Sequence, residues 1–325
     1  MNLSLNKKYN FDIDASVNTY AGELALPYVT AALLGAETIA KGRCRFLEGI
    51  VGKTVISGLA TTDTIQAANC DFAGGSNVAL TEQVLDPSDL AVMEEVCRGT
   101  MYPTWIAANG RMERNGDLPV AWGDFLLGAV AERTGSNLEN LLWQGDAAAV
   151  FGTGFLSNDG VIDEAGIDAS ACANFLEADT GAAAWTNANI LANLSIVFDA
   201  AAAAPGILGK PGAGFYVSYE AYAFFLQAMA AQNTGAGFNQ SFEGANYLGY
   251  PVYATSGIPN TVDVCVFTYP DNLVVGANSY TADISAQLIP TYQYDGSDNV
   301  RISMRFAVGV QTGVATDGVV GFNFT

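Results

Sequence analysis

Lys53-Thr54-Val55-Ile56-Ser57, Thr64-Ile65-Gln66-Ala67, Val78 to Leu85 and Leu90 to Cys97 form the stretch whose reading decides the fold. These runs are β-branched and alternate in polarity with a period of two, the pattern of half-buried strands. Ala73-Gly74-Gly75-Ser76-Asn77, between the two halves, supplies turn residues. The spacing predicts one long hairpin. Such a hairpin has little core of its own and is marginal alone, so it is expected to lie on another surface, which in a self-associating protein is a neighbouring copy.

Upstream, Leu24, Tyr28, Ala31, Ala32 and Leu34 recur at helical spacing and predict a helix over 20–40, with Asn18 or Thr19 as its cap and Gly42 beyond its end. Residues 1–18 are polar and aperiodic, an arm expected to order against a partner. Downstream, Val120, Trp122, Phe125, Leu126, Ala129 and Val130, then Leu138, Leu141, Leu142 and Trp143, keep helical spacing for about 24 residues, roughly 36 Å. Gly135 and Ser136 are expected to bend this helix. The second half alternates: a helix from Thr186 or Asn187 through Phe198, a strand over 214–218, a helix over 219–231, and strands over 250–254, 262–268, 273–276, 286–294 and 300–310, the last two joined by a hairpin turn over 295–299. No fixed-period repeat is present.

Composition bounds the function. Half of the 325 residues are hydrophobic and 14% are charged, which places the chain among folded proteins and allows two domains or intertwined lobes. So few charges leave a surface rich in small polar residues, or one covered by other subunits. The net charge of −20 opposes nucleic-acid and anionic-membrane binding through counterion release. Lys7, Lys8, Lys41, Arg43, Arg45 and Lys53 concentrate at the start, whereas no basic residue separates Arg133 from Lys210; the two regions either attract each other between subunits or are simply solvated. Five scattered cysteines without Cys-x-x-Cys spacing indicate neither a disulfide framework nor zinc. The amino terminus lacks the apolar core of a signal peptide, and no apolar run approaches a membrane span.

The chain contains no histidine, which excludes Ser-His-Asp and Cys-His catalysis and His-containing zinc sites. A carboxylate-pair hydrolase stays chemically open but has no supporting motif. Gly49-Ile50-Val51-Gly52-Lys53-Thr54 ends like a phosphate-binding loop, yet Leu47 stands where the first glycine is required. Asp295-Gly296-Ser297-Asp298-Asn299 lacks the closing glutamate of a calcium loop and reads as a turn. No catalytic residue, metal site or cofactor is expected.

The order of arm, long hairpin, long helix, α/β lobe and returning strands is similar to that of tailed-bacteriophage major capsid proteins of the Hong Kong 97 type. Leu80-Thr81-Glu82-Gln83-Val84-Leu85-Asp86-Pro87 through Cys97 and Trp105 resembles the entry of their extended loop into the peripheral domain, and Leu141-Leu142-Trp143-Gln144-Gly145-Asp146 the end of their spine helix. Tyr247-Leu248-Gly249-Tyr250-Pro251-Val252-Tyr253 with Gly257-Ile258-Pro259 resembles an axial-domain stretch. Val300 to Gln311 resembles the closing strand, with Arg301, Ser303 and Arg305 facing away from Ile302, Met304 and Phe306.

The resemblance implies an α+β fold: arm and helix over 1–45, extended β-hairpin loop over 46–98, peripheral domain over 99–150 and 287–325 with its spine helix over 120–143, and axial α/β domain over 151–286. It implies a virion capsid subunit, assembled in the host cytoplasm with copies of itself as pentamers and hexamers of an icosahedral shell. A portal is the expected partner, with or without separate scaffolding or decoration proteins, with DNA held by enclosure and no membrane involved. Some relatives join subunits by a Lys–Asn bond, a role the sequence does not assign to Lys53. The short stretch before Tyr20 leaves no room for a removable scaffold. Candidate assembly contacts are Arg43, Arg45, Lys53, Trp105, Trp122 and Trp143; the tryptophans read equally as rigid anchors or as core residues. An encapsulin-like compartment shell and an acidic, strand-built tail or surface protein are the rival readings.

Overall fold

The computed structural model describes residues 19–21, 31–33, 35–62, 77–97, 120–145, 154–156, 162–163, 166–167, 175–181, 183–204, 206–231, 245–278, 285–291, 296–297 and 299–322. In chain order the elements are β1 (Thr19–Ala21), α1 (Glu37–Ala40), β2 (Arg45–Glu48), β3 (Thr54–Thr62), β4 (Asn77–Leu85), β5 (Ser88–Cys97) and α2 (Val120–Gln144). They continue with β6 (Ile162–Asp163), β7 (Gly166–Ile167), β8 (Leu176–Asp179), α3 (Ile190–Ala203), β9 (Gly214–Val217), α4 (Tyr219–Ala231), β10 (Asn246–Tyr247) and β11 (Tyr250–Ala254). The last are β12 (Val264–Thr268), β13 (Leu273–Asn278), β14 (Ser285–Pro290), β15 (Asn299–Thr312) and β16 (Val319–Phe322).

Two six-stranded sheets organise these elements. The first runs β1-β14-β15-β13-β2, with β5 also paired to β15; the second runs β10-β11-β9-β12-β16-β8. β15 alternates over its first half, where Ile302, Met304 and Phe306 are buried while Arg301 and Arg305 are exposed, and is almost wholly buried beyond Phe306. The alternation marks a sheet with one wet face, and the continuous run marks burial on both. One core joins this sheet to Leu138, Leu142 and Trp143 of α2; another packs Val197, Phe215, Phe225 and Phe267 between the second sheet and α3 and α4.

Several expectations are corrected. Thr19–Ala21 is a strand, not the first turn of a helix: it pairs antiparallel with Ser285–Gln287, and among the described residues of 20–40 helix occurs at 31–33 and in α1. The demand of an open sheet edge for partners outweighs local helical periodicity. Leu90 to Cys97 leaves the hairpin. β3 and β4 form a ladder of their own, from Thr54↔Leu85 to Thr62↔Asn77, whereas β5 pairs along β15 from Ser88↔Val308 to Cys97↔Asn299. Pro87, with no N–H to donate, separates the two pairings. The helical spacing over 120–143 is matched by α2, which continues through Gly135 and Ser136. Strand pairing also joins segments distant in sequence, with β13 in the first sheet and β16 in the second. The expected arm over 1–18 and the Thr64 to Ala67 run lie outside the described residues.

Candidate assembly site

The junction between the two sheets is built around one buried acid. Glu139, on α2, is 1% exposed. Its carboxylate accepts hydrogen bonds from the Thr38 backbone N–H at 2.9 Å, the Trp143 indole N–H at 3.1 Å, and the hydroxyls of Thr38 and Thr255. Four donors compensate the carboxylate for lost water, and they arrive from the segment before β2, from α2 itself and from the loop after β11. Gln144 Nε2 donates to the Gly257 carbonyl at 2.7 Å, and a Cβ on Gly257 would collide with the Trp143 ring. Sequence reading missed Glu139, Thr38 and Thr255. The available signal was an acid inside the apolar stripe Leu138, Leu142 and Trp143, four residues from an indole that needs an acceptor.

A second cluster lies beside it. Glu37 is 2.7 Å from Lys41 Nζ and 3.7 Å from Arg43, and it accepts the Tyr219 hydroxyl at 2.8 Å. Burial raises the Glu37 pKa, but the hydrogen bonds from Lys41 and Tyr219 and the charges of Lys41 and Arg43 outweigh it and hold the pKa below its ordinary value. Burial, aided by the nearby Glu139 charge, pushes the Cys44 thiol up to about 12.

The candidate assembly contacts fall in different environments. Trp143 is fully buried, edge-on to Phe155 at 5.4 Å and tilted against Tyr216 at 5.5 Å. It therefore anchors the core of its own chain and offers no surface. Arg43 is likewise committed internally: it donates to the Ala254 carbonyl at 2.8 Å and lies 4.5 Å from the Tyr253 ring centre. Lys53 is exposed and pairs with Asp86 at 2.8 Å across the base of the hairpin. Arg45 is exposed, has no ion pair among the described residues, and lines a cavity of about 300 Å³ with Ile56, Lys210, Tyr269 and Asp271. Trp122 is in α2, in a turn whose side chains lie outside the described residues, as does Trp105.

The base of the hairpin is bolted to the first sheet. Leu85 is fully buried against Ile50 and Val274, a Cβ on Gly276 would lie 2.5 Å from Leu85 Cδ2, and Gln311 donates to Gln83 at 2.7 Å. Beyond that base the ladder pairs with no other described strand. Val55 and Val84 stand 54% and 50% exposed on it.

Comparison with solved structures finds the same overall fold over about nine tenths of the chain. The capsid of the empty GTA particle covers 91% of this chain and 90% of that chain at 13% identity, with a TM-score of 0.57. Microbacterium phage Oxtober96 aligns over 89% and 91% at 15% identity, TM-score 0.54. The chain has the Hong Kong 97-type capsid fold. The satellite phage P4 procapsid that includes the size determination protein shares this capsid fold over 92% and 90% at 12% identity, TM-score 0.53. No family model matches the sequence, and no curated protein does. At these identities the capsid fold is conserved in shape while almost every side chain differs. Among the described residues no three His, Cys, Asp or Glu side chains converge on a possible metal position, and no helix is long and apolar enough to cross a membrane.

Proposed function

We propose that the chain is a major capsid protein, a shell subunit that assembles with copies of itself into the pentamers and hexamers of an icosahedral virion enclosing double-stranded DNA. One observation carries the reading: the β3–β4 ladder is a two-stranded ribbon with exposed apolar residues, an element that is marginal alone and calls for a covering surface. A neighbouring subunit provides it. The neighbours of the same fold, named as a GTA particle capsid and a P4 procapsid, support this reading over a strand-built tail or surface protein. The function lies in contacts, with no enzymatic step.

A closed shell needs contacts that are individually modest and collectively strong, since overly strong ones trap malformed intermediates. A chain with 33 acidic and 13 basic residues also presents packaged DNA with a wall that repels it, so the DNA slides without sticking. A portal, with or without separate scaffolding or decoration proteins, completes the particle in the host cytoplasm. Electron microscopy of the purified protein tests the proposal: uniform round particles tens of nanometres across support it, and a strict monomer at high concentration overturns it. Tight DNA binding by purified shells, weakening steeply with added salt, would remove the non-adhesive wall.

A further inference from the structure

Leu248 combines two liabilities at one position. It has φ +50°, and it is the only non-glycine with positive φ among the described residues. A branched aliphatic side chain in this left-handed region is an outlier. It is also 57% exposed, whereas Tyr247 and Tyr250 on either side of the turn are half-buried.

The turn that carries it is rigid. Tyr247 and Tyr250 pair across the β10–β11 hairpin, leaving Leu248 and Gly249 as a two-residue loop with φ positive at both positions, +50° and +89°. Asn-Gly is the pair such a loop prefers. The Tyr247 hydroxyl donates to the Leu191 carbonyl at 2.9 Å, and the Tyr250 hydroxyl to the Leu208 carbonyl at 2.8 Å. Both rings pack on the lobe, Tyr247 at 5.8 Å from Phe215 and Tyr250 at 5.4 Å from Phe267. With its flanks fastened, Leu248 is held outward at the edge of the second sheet, where β10 is the terminal strand. Backbone strain persists where surrounding structure over-determines it, and it concentrates at functional positions. A preorganised apolar residue loses little entropy on docking.

We infer that Leu248 is an assembly contact, an apolar knob that inserts into a second copy of this chain. The inference rests on the shell-subunit reading and names a residue through which it works. Among the described residues no hydrophobic cluster includes the Leu248 side chain, whereas a partner would remove it from water.

The test is Leu248→Asn, which installs the preferred Asn-Gly pair, compared with Leu248→Met and the unsubstituted chain. For the unassembled subunit, Leu248→Asn raises the melting temperature by about 2 °C, because the strain is relieved. In assembly, followed by light scattering and microscopy, it lowers particle yield about tenfold at fixed concentration, because each contact loses a buried leucine, while Leu248→Met assembles like the parent. Stabilisation together with impaired assembly supports the contact. Full assembly of Leu248→Asn overturns it, as does equal impairment of the methionine variant. If the unsubstituted chain forms no particles, the shell reading fails first, and this inference with it.

Discussion

Gly35 and Gly135 meet backbone to backbone: a Cβ built on Gly135 would lie 2.5 Å from the Gly35 Cα, and one on Gly35 would lie 2.9 Å from the Gly135 Cα. The glycine in α2 therefore serves close approach of the segment before β2. Alanine is the better helix former by about 1 kcal/mol, yet Gly135→Ala is expected to destabilise, because the backbone of Gly35 has nowhere to go. Gly128, in the same helix with nothing within 4 Å of its Cβ position, is the control, and Gly128→Ala should stabilise by about 0.5–1 kcal/mol. Chemical denaturation of the two variants checks the pair; equal shifts would refute the packing argument.

Glu139→Gln retains the shape of the side chain but replaces one acceptor with an amide that faces donors from Thr38, Thr255 and Trp143. The expected loss is about 3 kcal/mol of unfolding free energy. A loss below about 1 kcal/mol would mean that the three segments hold together without the buried charge.

The depressed pKa of Glu37 gives a pH dependence with a definite sign. A carboxylate whose folded pKa lies below its ordinary 4.5 binds fewer protons folded than unfolded, so its contribution is complete above that value and is lost as pH falls through the folded pKa. Glu37→Gln should therefore be less stable than the parent near neutrality, with the gap narrowing as acid is added. Parallel stability curves across the acid range would exclude the role.

Cysteine reactivity should be selective. Cys97 is exposed, while Cys44 and Cys265 are buried, and burial pushes the thiol pKa of both above the ordinary value. Site-resolved labelling of the native protein at pH 8 is expected to modify Cys97 at least about tenfold faster than Cys44 or Cys265. Comparable rates would indicate that the core opens readily.

Leu85→Ala should detach the base of the hairpin from Ile50 and Val274, at a cost of about 3 kcal/mol, and should abolish shell formation even in subunits that stay folded. Intact particles with this variant would show that the ladder needs no anchorage.

Much of this architecture is legible from local pattern. Helical periodicity over Val120 to Trp143 and Tyr219 to Ala231, and alternation at Arg301, Ser303 and Arg305, depend on which face of an element meets a core, and that face is written in consecutive residues. The absence of histidine excludes histidine-dependent catalysis on sequence alone. Tertiary structure alone decided what joins distant segments. It paired Thr19–Ala21 with Ser285–Gln287, turned Leu90–Cys97 out of the hairpin and onto β15, and placed β16 in the second sheet, because strand pairing depends on free edges, which no local period records. It also drew Trp143 and Arg43 into internal contacts and brought Thr38 and Thr255 to Glu139 across 101 and 116 residues. A side chain's identity shows what it must satisfy, and only the closed fold shows which partner does so.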